Sequence, residues 1–373
     1  TQWNISAIPY DNDSSAFEGS YMEEWLNDTT VDGFLGNLRD YENFIVIDAV
    51  WDATEESREL GNITRPDGTT VVTDAVGLLN MYEYQTSYRG TTYSNCYLNN
   101  GLNWWLLTPY ISNVGLVNYA GAVYSTALSD SSGIRPSVNL KSDVQVVEGN
   151  GTKNNPYRLE GDNDINLNGT LLNTRYSGEY IRFGNNENNL YRIVSHENGI
   201  GTKITSVEPL KNSGDFIGIA FGSNTVFSST NTIGTFLNVE YLTNYVDSTY
   251  SEMIEESSTW YLGTVGIGAS YKMAKYTNDN MTDYATTANS KVGLLRLGEL
   301  MAGQFDRYEN NRNYWTLTPI DMSYVRLVID NGHMNNRNPS NMNAVRPSLN
   351  LKSNVIITGG DGTKENPFIL ALQ

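Results

Sequence analysis

Apolar residues recur along this chain in short runs, which predict many strands and few helices. Between Ser15 and Leu38 they recur every three or four residues, the spacing of a helix with one buried face. The run from Asn43 to Trp51 is short, apolar and rich in β-branched residues, which predicts a buried strand. Val76 to Tyr84 predicts a strand that leads into a short helix. The whole pattern predicts an α+β chain that is β- and loop-rich with short helices.

The same order of phrases occurs twice. Trp315 follows Trp105 by 210 residues, Arg346 follows Arg135 by 211, and Val292 follows Val76 by 216. The repeated phrases are, in pairs, Trp104–Pro109 (WWLLTP) with Tyr314–Pro319 (YWTLTP), Ile134–Ser142 (IRPSVNLKS) with Val345–Ser353 (VRPSLNLKS), and Gly151–Tyr157 (GTKNNPY) with Gly362–Phe368 (GTKENPF). Chance does not produce this constant register, so the chain is a tandem of one module type.

The two copies differ at their beginnings. We assign residues 1–160 to module one, residues 161–170 to a linker and residues 171–373 to module two. Module two opens with three strand-like segments, Tyr180–Phe183, Leu190–Val194 and Thr202–Val207, separated by turns rich in Gly and Asn. Module one lacks an equivalent of roughly residues 163–216.

A module without its opening strands exposes a sheet edge and apolar surface, which favours pairing with another strand. We therefore expect module one to be completed by residues upstream of Thr1 or by a strand of a neighbouring subunit. In the second case the contact is heterologous and need not close, so subunits join head to tail into a filament.

Each module carries a hairpin between its Trp phrase and its Arg-Pro phrase. In module one the strand-like pieces are Gly115–Tyr119 and Ala122–Tyr124, around Gly121. In module two Val325–Ile329 leads into Asn331-Gly332, a strong hairpin-turn signal. The segments from Tyr110 to Ser132 and from Ile320 to Asn343 are also where the copies differ most, an arrangement typical of a fixed scaffold that carries variable binding loops.

Charge excludes some partners. The chain has 373 residues with 24 Lys+Arg against 42 Asp+Glu, a formal net charge of −18, and such a surface repels phosphate backbones and anionic lipid. We therefore expect no nucleic-acid partner and no membrane contact within this chain. Cys96 is the one cysteine, so no intrachain disulfide can form. There is no apolar run long enough to span a membrane and no signal-peptide pattern, so an export signal or anchor would have been removed or lie outside these residues.

The repeated phrases resemble modules of surface and prepilin-type proteins of Gram-positive bacteria, in which a Gly-Thr-x-x-Asn-Pro-Tyr phrase commonly closes each module. The order Trp, Gly, Arg-Pro is also similar to the C-type-lectin-like fold of formylglycine-generating enzymes and of retroelement-diversified receptor proteins. That resemblance implies that the opening and closing strands of a module pair with each other. It also implies that the segment between the Trp and Arg-Pro phrases faces a ligand.

Candidate residues fall into a structural and a binding set. Aromatic rings of the Trp phrases could stack on sugar, but their repetition inside a strand-like phrase favours core packing, and an Arg before Pro in both copies favours a scaffold role. The structural set is Trp104, Trp105, Arg135, Pro136, Trp315, Arg346 and Pro347. The ligand- or partner-binding set, expected to be exposed on the hairpins, is Tyr110, Asn118, Tyr119, Tyr124, Tyr324, Arg326, His333 and Arg337. A wet hairpin face without a ligand is the alternative.

Metal and catalytic signals are fragmentary. Asp164, Asn166 and Asn168, followed by Gly169, match the opening of a calcium loop, but Arg175 stands where such a loop needs a bidentate Glu. A polar linker turn is the alternative, and we expect no cofactor other than this calcium candidate. Two histidines in non-equivalent positions and a single cysteine give no catalytic constellation, so we expect no enzyme.

Three functions remain. The first is an extracellular bacterial surface protein, an adhesin or a pilus or filament subunit that assembles through strand donation to module one. The second is a lectin in the strict sense, with a small carbohydrate as its defined ligand. The third is a surface glycoside hydrolase, for which no phrase marks a carboxylate pair. Besides other copies of itself, the expected partners of the chain are a host or environmental glycan or protein.

Overall fold

The structure is a computed structural model. It describes residues 10–11, 14–30, 33–55, 66–87, 96–99, 101–128, 132–152, 155–160, 166–184, 186–197, 201–262, 287–302, 312–330 and 334–373. The described residues form two compact units, which lie within residues 7–166 and 167–373. The second unit begins at Leu167, inside the segment assigned to the linker. Both units are β-rich, with several small sheets and few short helices, as the α+β prediction requires.

Module one contains three short helices and nine strands among its described residues. They are α1 (Tyr21–Asn27), α2 (Tyr41–Phe44), β1 (Ala49–Asp52), β2 (Val71–Asp74), β3 (Val76–Gly77), α3 (Met81–Thr86), β4 (Trp104–Tyr110), β5 (Asn113–Val117), β6 (Val123–Ala127), β7 (Ser137–Val138), β8 (Val146–Glu148) and β9 (Arg158–Leu159). A 3₁₀ turn spans Leu35–Asn37.

The helix predicted between Ser15 and Leu38 is confirmed in part, because α1 covers Tyr21–Asn27 and the later residues Leu35–Asn37 form a 3₁₀ turn. The Ser20 hydroxyl accepts a hydrogen bond from the Glu23 N–H and so caps the helix, while Met22, Trp25 and Leu26 are buried. The strand predicted over Asn43–Trp51 is wrong in its first half. The Ile45 N–H donates to the Tyr41 carbonyl and closes the helical turn α2; Ile45 forms an isolated bridge with Leu140, and strand β1 begins at Ala49.

In module two the described residues form four short helices and sixteen strands. They are β10 (Tyr180–Arg182), β11 (Leu190–Glu197), β12 (Gly201–Ser206), β13 (Lys211–Asn212), β14 (Asp215–Phe216), β15 (Gly218–Ala220), α4 (Thr232–Thr235), α5 (Leu242–Asn244), α6 (Ser248–Ser251), β16 (Ser258–Tyr261), β17 (Thr287–Ser290), β18 (Val292–Leu294), α7 (Leu297–Ala302), β19 (Tyr314–Pro319), β20 (Val325–Val328), β21 (Met334–Arg337), β22 (Met342–Ala344), β23 (Pro347–Leu351), β24 (Val355–Gly359) and β25 (Ile369–Leu372). A π-helical turn, Phe236–Tyr241, joins α4 to α5.

The three opening strands predicted for module two are confirmed as β10, β11 and β12. They form one sheet in the order β10-β11-β12-β23-β18, so the Arg-Pro strand β23 has a neighbour on each side. Ile204 of β12 and Val292 of β18 both pair with Leu349. A second sheet, β15-β22-β19-β20-β21, carries the Trp phrase and the display hairpin. Together the two sheets enclose the main core of this module.

Module one repeats part of this plan. Strand β7 pairs with β3 as β23 pairs with β18, and β4, β5 and β6 form the Trp-phrase sheet with the predicted hairpin. Among its described residues, no strand pairs with β7 on the side that β12 occupies in module two. Within the described residues β7 therefore differs from β23 by this one neighbour, and the Trp-phrase sheet has three strands against five in module two.

Candidate functional site

The outer side of β7 and the apolar residues beside it form the first candidate site, which we call the open edge. Its members are Val138, Leu140, Val146 and Tyr157. By the 211-residue register of the repeat, their counterparts in module two are Leu349, Leu351, Ile357 and Phe368. Because the same module type presents these positions in two environments, module two is an internal reference for module one.

Exposure of these positions differs sharply between the modules. Val138 is 37% exposed and Leu140 50%, whereas Leu349 and Leu351 are both 0% exposed. Strand β12 covers the two leucines, since Ile204 pairs with Leu349 and Thr202 with Leu351.

The closing segment shows the same contrast. Val146 is 55% exposed and Tyr157 57%, whereas Ile357 and Phe368 are 0% exposed. In module two Ile181 forms a bridge with Phe368, and the Arg182 N–H donates to the Phe368 carbonyl over 2.9 Å. The opening strands therefore cover both the β23 leucines and the closing segment, and the open edge is the surface that they would cover in module one.

Each module has a glutamate in matching local geometry at the start of a short helix. Glu299 Oε2 accepts from the Arg296 N–H (2.8 Å), and Glu83 Oε2 accepts from the Asn80 N–H (2.9 Å). In module two the residue after Arg296 donates its N–H over 2.9 Å to the Thr318 hydroxyl. In module one the residue after Asn80 donates its N–H over 2.9 Å to the Thr108 hydroxyl. The cap of α3 therefore reproduces the cap of α7.

The other carboxylate oxygen, Oε1, has different surroundings in Glu299 and in Glu83. Glu299 Oε1 lies 2.7 Å from Lys203 Nζ on β12 and 3.2 Å from Arg296 Nη2, and all three side chains are buried. Burial raises the pKa of Glu299, but Arg296 and Lys203 outweigh it and lower this pKa to about 2. Glu83 is exposed, and among the described residues its Oε1 has no cation.

Each module also has a tryptophan at an equivalent position, Trp260 in module two and Trp51 in module one. Lys203 Nζ lies 5.3 Å from the centre of the Trp260 ring, a cation–π contact. Trp260 Nε1 donates to the Ser290 carbonyl over 3.0 Å, and its counterpart Trp51 donates to the Asp74 carbonyl over 2.9 Å. A Cβ added at Gly77 or Gly293 would lie 2.5 Å or 2.6 Å from the neighbouring indole, so both rings pack on a glycine of the adjacent strand.

Beside Trp51, Asp74 replaces the serine of module two. Its Oδ2 is buried without a hydrogen-bond partner in the described structure. Burial, and then the charges of Glu23 and Glu18, raise the pKa of Asp74 to about 6. This part of module one therefore carries excess negative charge.

The Arg-Pro phrases occupy equivalent positions with different partners. Arg346 is buried, and its Nε donates over 2.6 Å to the carbonyl of Ser206, the last residue of β12, while its guanidinium lies 5.4 Å from the Tyr314 ring. Arg135 is half-buried, lies 5.1 Å from the Trp104 ring and donates to the Leu98 carbonyl. Burial lowers the pKa of Arg135. Pro136 is half-buried and Pro347 is buried at the start of β23.

The tryptophans of the Trp phrases lie in the cores. Trp104, Trp105 and Trp315 are at most 2% exposed, so no sugar can stack on them in this conformation. Trp104 contacts Tyr84 edge to face, and Trp315 Nε1 donates to the Ile219 carbonyl over 2.8 Å.

The display hairpin of module one forms a second candidate site. A cavity of about 440 Å³ is lined by Asn103, Leu116, Asn118, Tyr119, Tyr124, Thr126 and Ser132. Asn118, Tyr119 and Tyr124 are three of the predicted binding residues, and the two tyrosines are 70% and 58% exposed. Tyr110, at the end of β4, is half-buried and does not line this cavity.

Predicted binding residues of module two are not gathered in this way. Tyr324 is 43% exposed, and Arg337 is exposed with its Nη1 donating to the Asn336 carbonyl. The prediction that Arg326 is exposed is wrong: it is 8% exposed, because both faces of β20 are packed, with Val325 and Leu327 in the main core and Val328 in a second apolar cluster. His333 and the Asn331-Gly332 turn lie outside the described residues.

The calcium candidate gains no further ligands here. Asp164 lies outside the described residues, Asn166 and Asn168 are exposed, and Arg175 forms an ion pair with Glu179. In the described part of the chain no group of three or more His, Cys, Asp or Glu side chains is placed to hold a metal ion. None of the described helices is long and apolar enough to cross a membrane.

Comparison of the chain with protein-family models, with curated proteins and with solved structures gives no match. Sequence reasoning missed Glu83 and Trp51, although one signal was present: a Glu at a 216-residue offset and a Trp at a 209-residue offset in both modules.

Proposed function

We propose that this chain is a subunit of an extracellular bacterial surface assembly, an adhesin or a pilus or filament subunit, and that the open edge of module one accepts a strand from a neighbouring subunit. The observation that carries the proposal is the exposure of Leu140, 50% against 0% for its counterpart Leu351. A sheet edge with exposed apolar residues is unusual in a monomer, since natural edges are normally short, charged or covered.

The energy available to a donated strand is substantial. Full burial of one large aliphatic side chain contributes roughly 1.5–3 kcal/mol, so completing the burial of the four half-exposed members of the open edge contributes about 4 kcal/mol. Backbone hydrogen bonds along β7 would add to this. Ordering of the strand opposes it, so the donor needs apolar residues at the matching register.

The C-type-lectin-like fold is part of the same proposal. The support is the meeting of opening and closing segments in module two, where Ile181 bridges Phe368 and Leu171 bridges Ile356. The surface location rests on the resemblance of the repeated phrases to Gram-positive surface modules and on the acidic, lysine-poor composition.

A peptide tests strand acceptance. A labelled peptide with the sequence of residues 188–207 spans β11 and β12, and its binding to the whole chain is measured by fluorescence anisotropy. We expect saturable binding that Leu140→Asp abolishes, because a carboxylate at this position would face the added strand. A scrambled peptide is the control for non-specific association. Absence of binding, or binding that Leu140→Asp leaves unchanged, contradicts strand acceptance.

Carbohydrate binding by module one is the second candidate function. It is favoured by the cavity of about 440 Å³ in which Asn118, Tyr119 and Tyr124 meet, since rigid tyrosines and amides suit sugar recognition. A glycan array probed with the wild-type chain, Tyr119→Ala and Tyr124→Ala tests it. Glycan binding that both substitutions abolish favours a lectin, and an array without hits on the wild-type chain contradicts it.

A further inference from the structure

We propose that module one contains a lysine-binding site, formed by Glu83 and Trp51 beside the open edge, which receives a lysine side chain of the added strand. The inference rests on the proposed function, because in module two the corresponding lysine lies on the strand that pairs with β23. The occupant is therefore a strand of a second polypeptide that carries a lysine opposite Asn139.

Module two contains the filled form of this site. The Lys203 backbone pairs with Asn350, the counterpart of Asn139, and its side chain is 2% exposed. Its ammonium lies 2.7 Å from Glu299 Oε1 and 5.3 Å from the centre of the Trp260 ring. A carboxylate and an indole face thus bind one ammonium group.

Module one contains the same two recognition groups without the strand. Glu83 Oε2 is bound to the Asn80 N–H over 2.9 Å, as Glu299 Oε2 is bound to the Arg296 N–H over 2.8 Å. The shared cap holds both glutamates in the same orientation on their helices. The Trp51 indole is fixed by its 2.9 Å hydrogen bond to the Asp74 carbonyl and by its packing on Gly77.

Charge selects a cation at this site. In module two Arg296 supplies a second positive group 3.2 Å from Glu299, but Asn80 stands at the corresponding position in module one. Covering Glu83 with a neutral side chain would bury a carboxylate without a counter-charge, which is costly. A lysine in the donated strand avoids that cost, and the net charge of −18 also favours a cationic donor.

The register defines the rest of the donor. Ile204 follows Lys203 and pairs with Leu349, so the donor needs an apolar residue directly after its lysine, opposite Val138. Thr202, before the lysine, pairs with Leu351, the counterpart of Leu140. A strand of this pattern satisfies the apolar and the charged parts of the open edge together.

A double-mutant cycle on the whole chain tests the inference. The peptide of residues 188–207 and its Lys203→Met form are titrated against the wild-type chain and against Glu83→Gln, which keeps the helix cap because glutamine also serves in a capping box. Glu55→Gln, an exposed position, is the matched control. We expect Lys203→Met or Glu83→Gln to weaken binding about tenfold or more, and the two together to weaken it no further than either alone.

The outcomes separate the two proposals. If the peptide binds and Leu140→Asp abolishes binding, but neither Lys203→Met nor Glu83→Gln changes the affinity, strand acceptance stands and the lysine site is overturned. Additive losses also overturn the site, because they show that Lys203 and Glu83 do not contact each other. If neither peptide binds, strand acceptance itself is contradicted and the lysine site falls with it.

Discussion

Leu140→Ala and Leu351→Ala remove the same atoms from equivalent positions and are expected to have unequal effects on stability. Each leucine takes part in one bridge to an isoleucine, Leu140 with Ile45 and Leu351 with Ile254. They differ in cover, because Leu140 is 50% exposed and Leu351 is 0% exposed. The comparison therefore isolates the contribution of the strands that cover β23 but not β7.

The structure sets the two magnitudes. Leu351→Ala leaves a cavity between β12 and β18, and such substitutions in a closed core cost about 2–5 kcal/mol. Leu140→Ala loses only the buried half of the transfer free energy and leaves no enclosed cavity, so its expected cost is about 1 kcal/mol or less. The difference between the two free energies of unfolding is then at least about 1 kcal/mol.

Hydrogen exchange followed by mass spectrometry is the suitable assay, because it gives an opening free energy for each segment. A single denaturation midpoint does not apply to a chain of two compact units. Peptides from β3 and β7 report on module one, and peptides from β18 and β23 on module two. Equal losses for the two substitutions would refute the reasoning, since they would require Leu140 to be as well covered as Leu351.

Three further predictions concern individual groups. The pKa of Asp74 is raised to about 6, so the native state binds more protons than the unfolded state between about pH 4 and pH 6. Module one therefore loses stability as pH rises through this range. Asp74→Asn should remove this loss in thermal unfolding scans. The pKa of Glu299 is lowered to about 2, so about 3 kcal/mol of stability in module two is lost as pH falls from about 4.5 to about 2. In Glu299→Gln this contribution is absent, and tryptophan fluorescence should show a weaker acid transition than in the wild-type chain. Lys203→Met leaves Glu299 with Arg296 as its remaining cation and should destabilise module two by about 3 kcal/mol in hydrogen exchange, while segments of module one stay unchanged.

Local patterns in the sequence were sufficient for elements whose signals are short-range. The strand-like segments within residues 180–207 and the Gly- and Asn-rich turns between them predicted β10, β11 and β12. Repetition at a constant offset predicted that roughly residues 163–216 have no counterpart among residues 1–160, because it compares the chain with itself. Over Asn43–Trp51 the local pattern predicted the wrong element in its first half, because apolar residues of a short helical turn and of a strand are alike in composition. There the Ile45 N–H donates to the Tyr41 carbonyl and closes a helical turn.

The candidate sites depend on contacts between distant residues. Lys203 and Glu299 are 96 positions apart, and nothing local to either residue indicates that one meets the other. Arg326 shows the same limit, because its burial depends on packing against both faces of β20 by residues distant in the sequence. The cavity residues Asn118, Tyr119 and Tyr124 were accessible to prediction, since all three lie on one hairpin whose turn is marked by Gly121.

Among the described residues, no strand pairs with the edge of β7 that corresponds to the edge of β23 covered by β12. The most direct test of this open edge is the exchange rate of the backbone amides of Val138 and Leu140, measured in the whole chain alone and with a saturating amount of the residue 188–207 peptide. We predict exchange orders of magnitude faster than at Leu349 and Leu351 in the chain alone, and marked slowing when the peptide is added. Slow exchange at Val138 and Leu140 without any partner, or rates that the bound peptide leaves unchanged, would contradict the account.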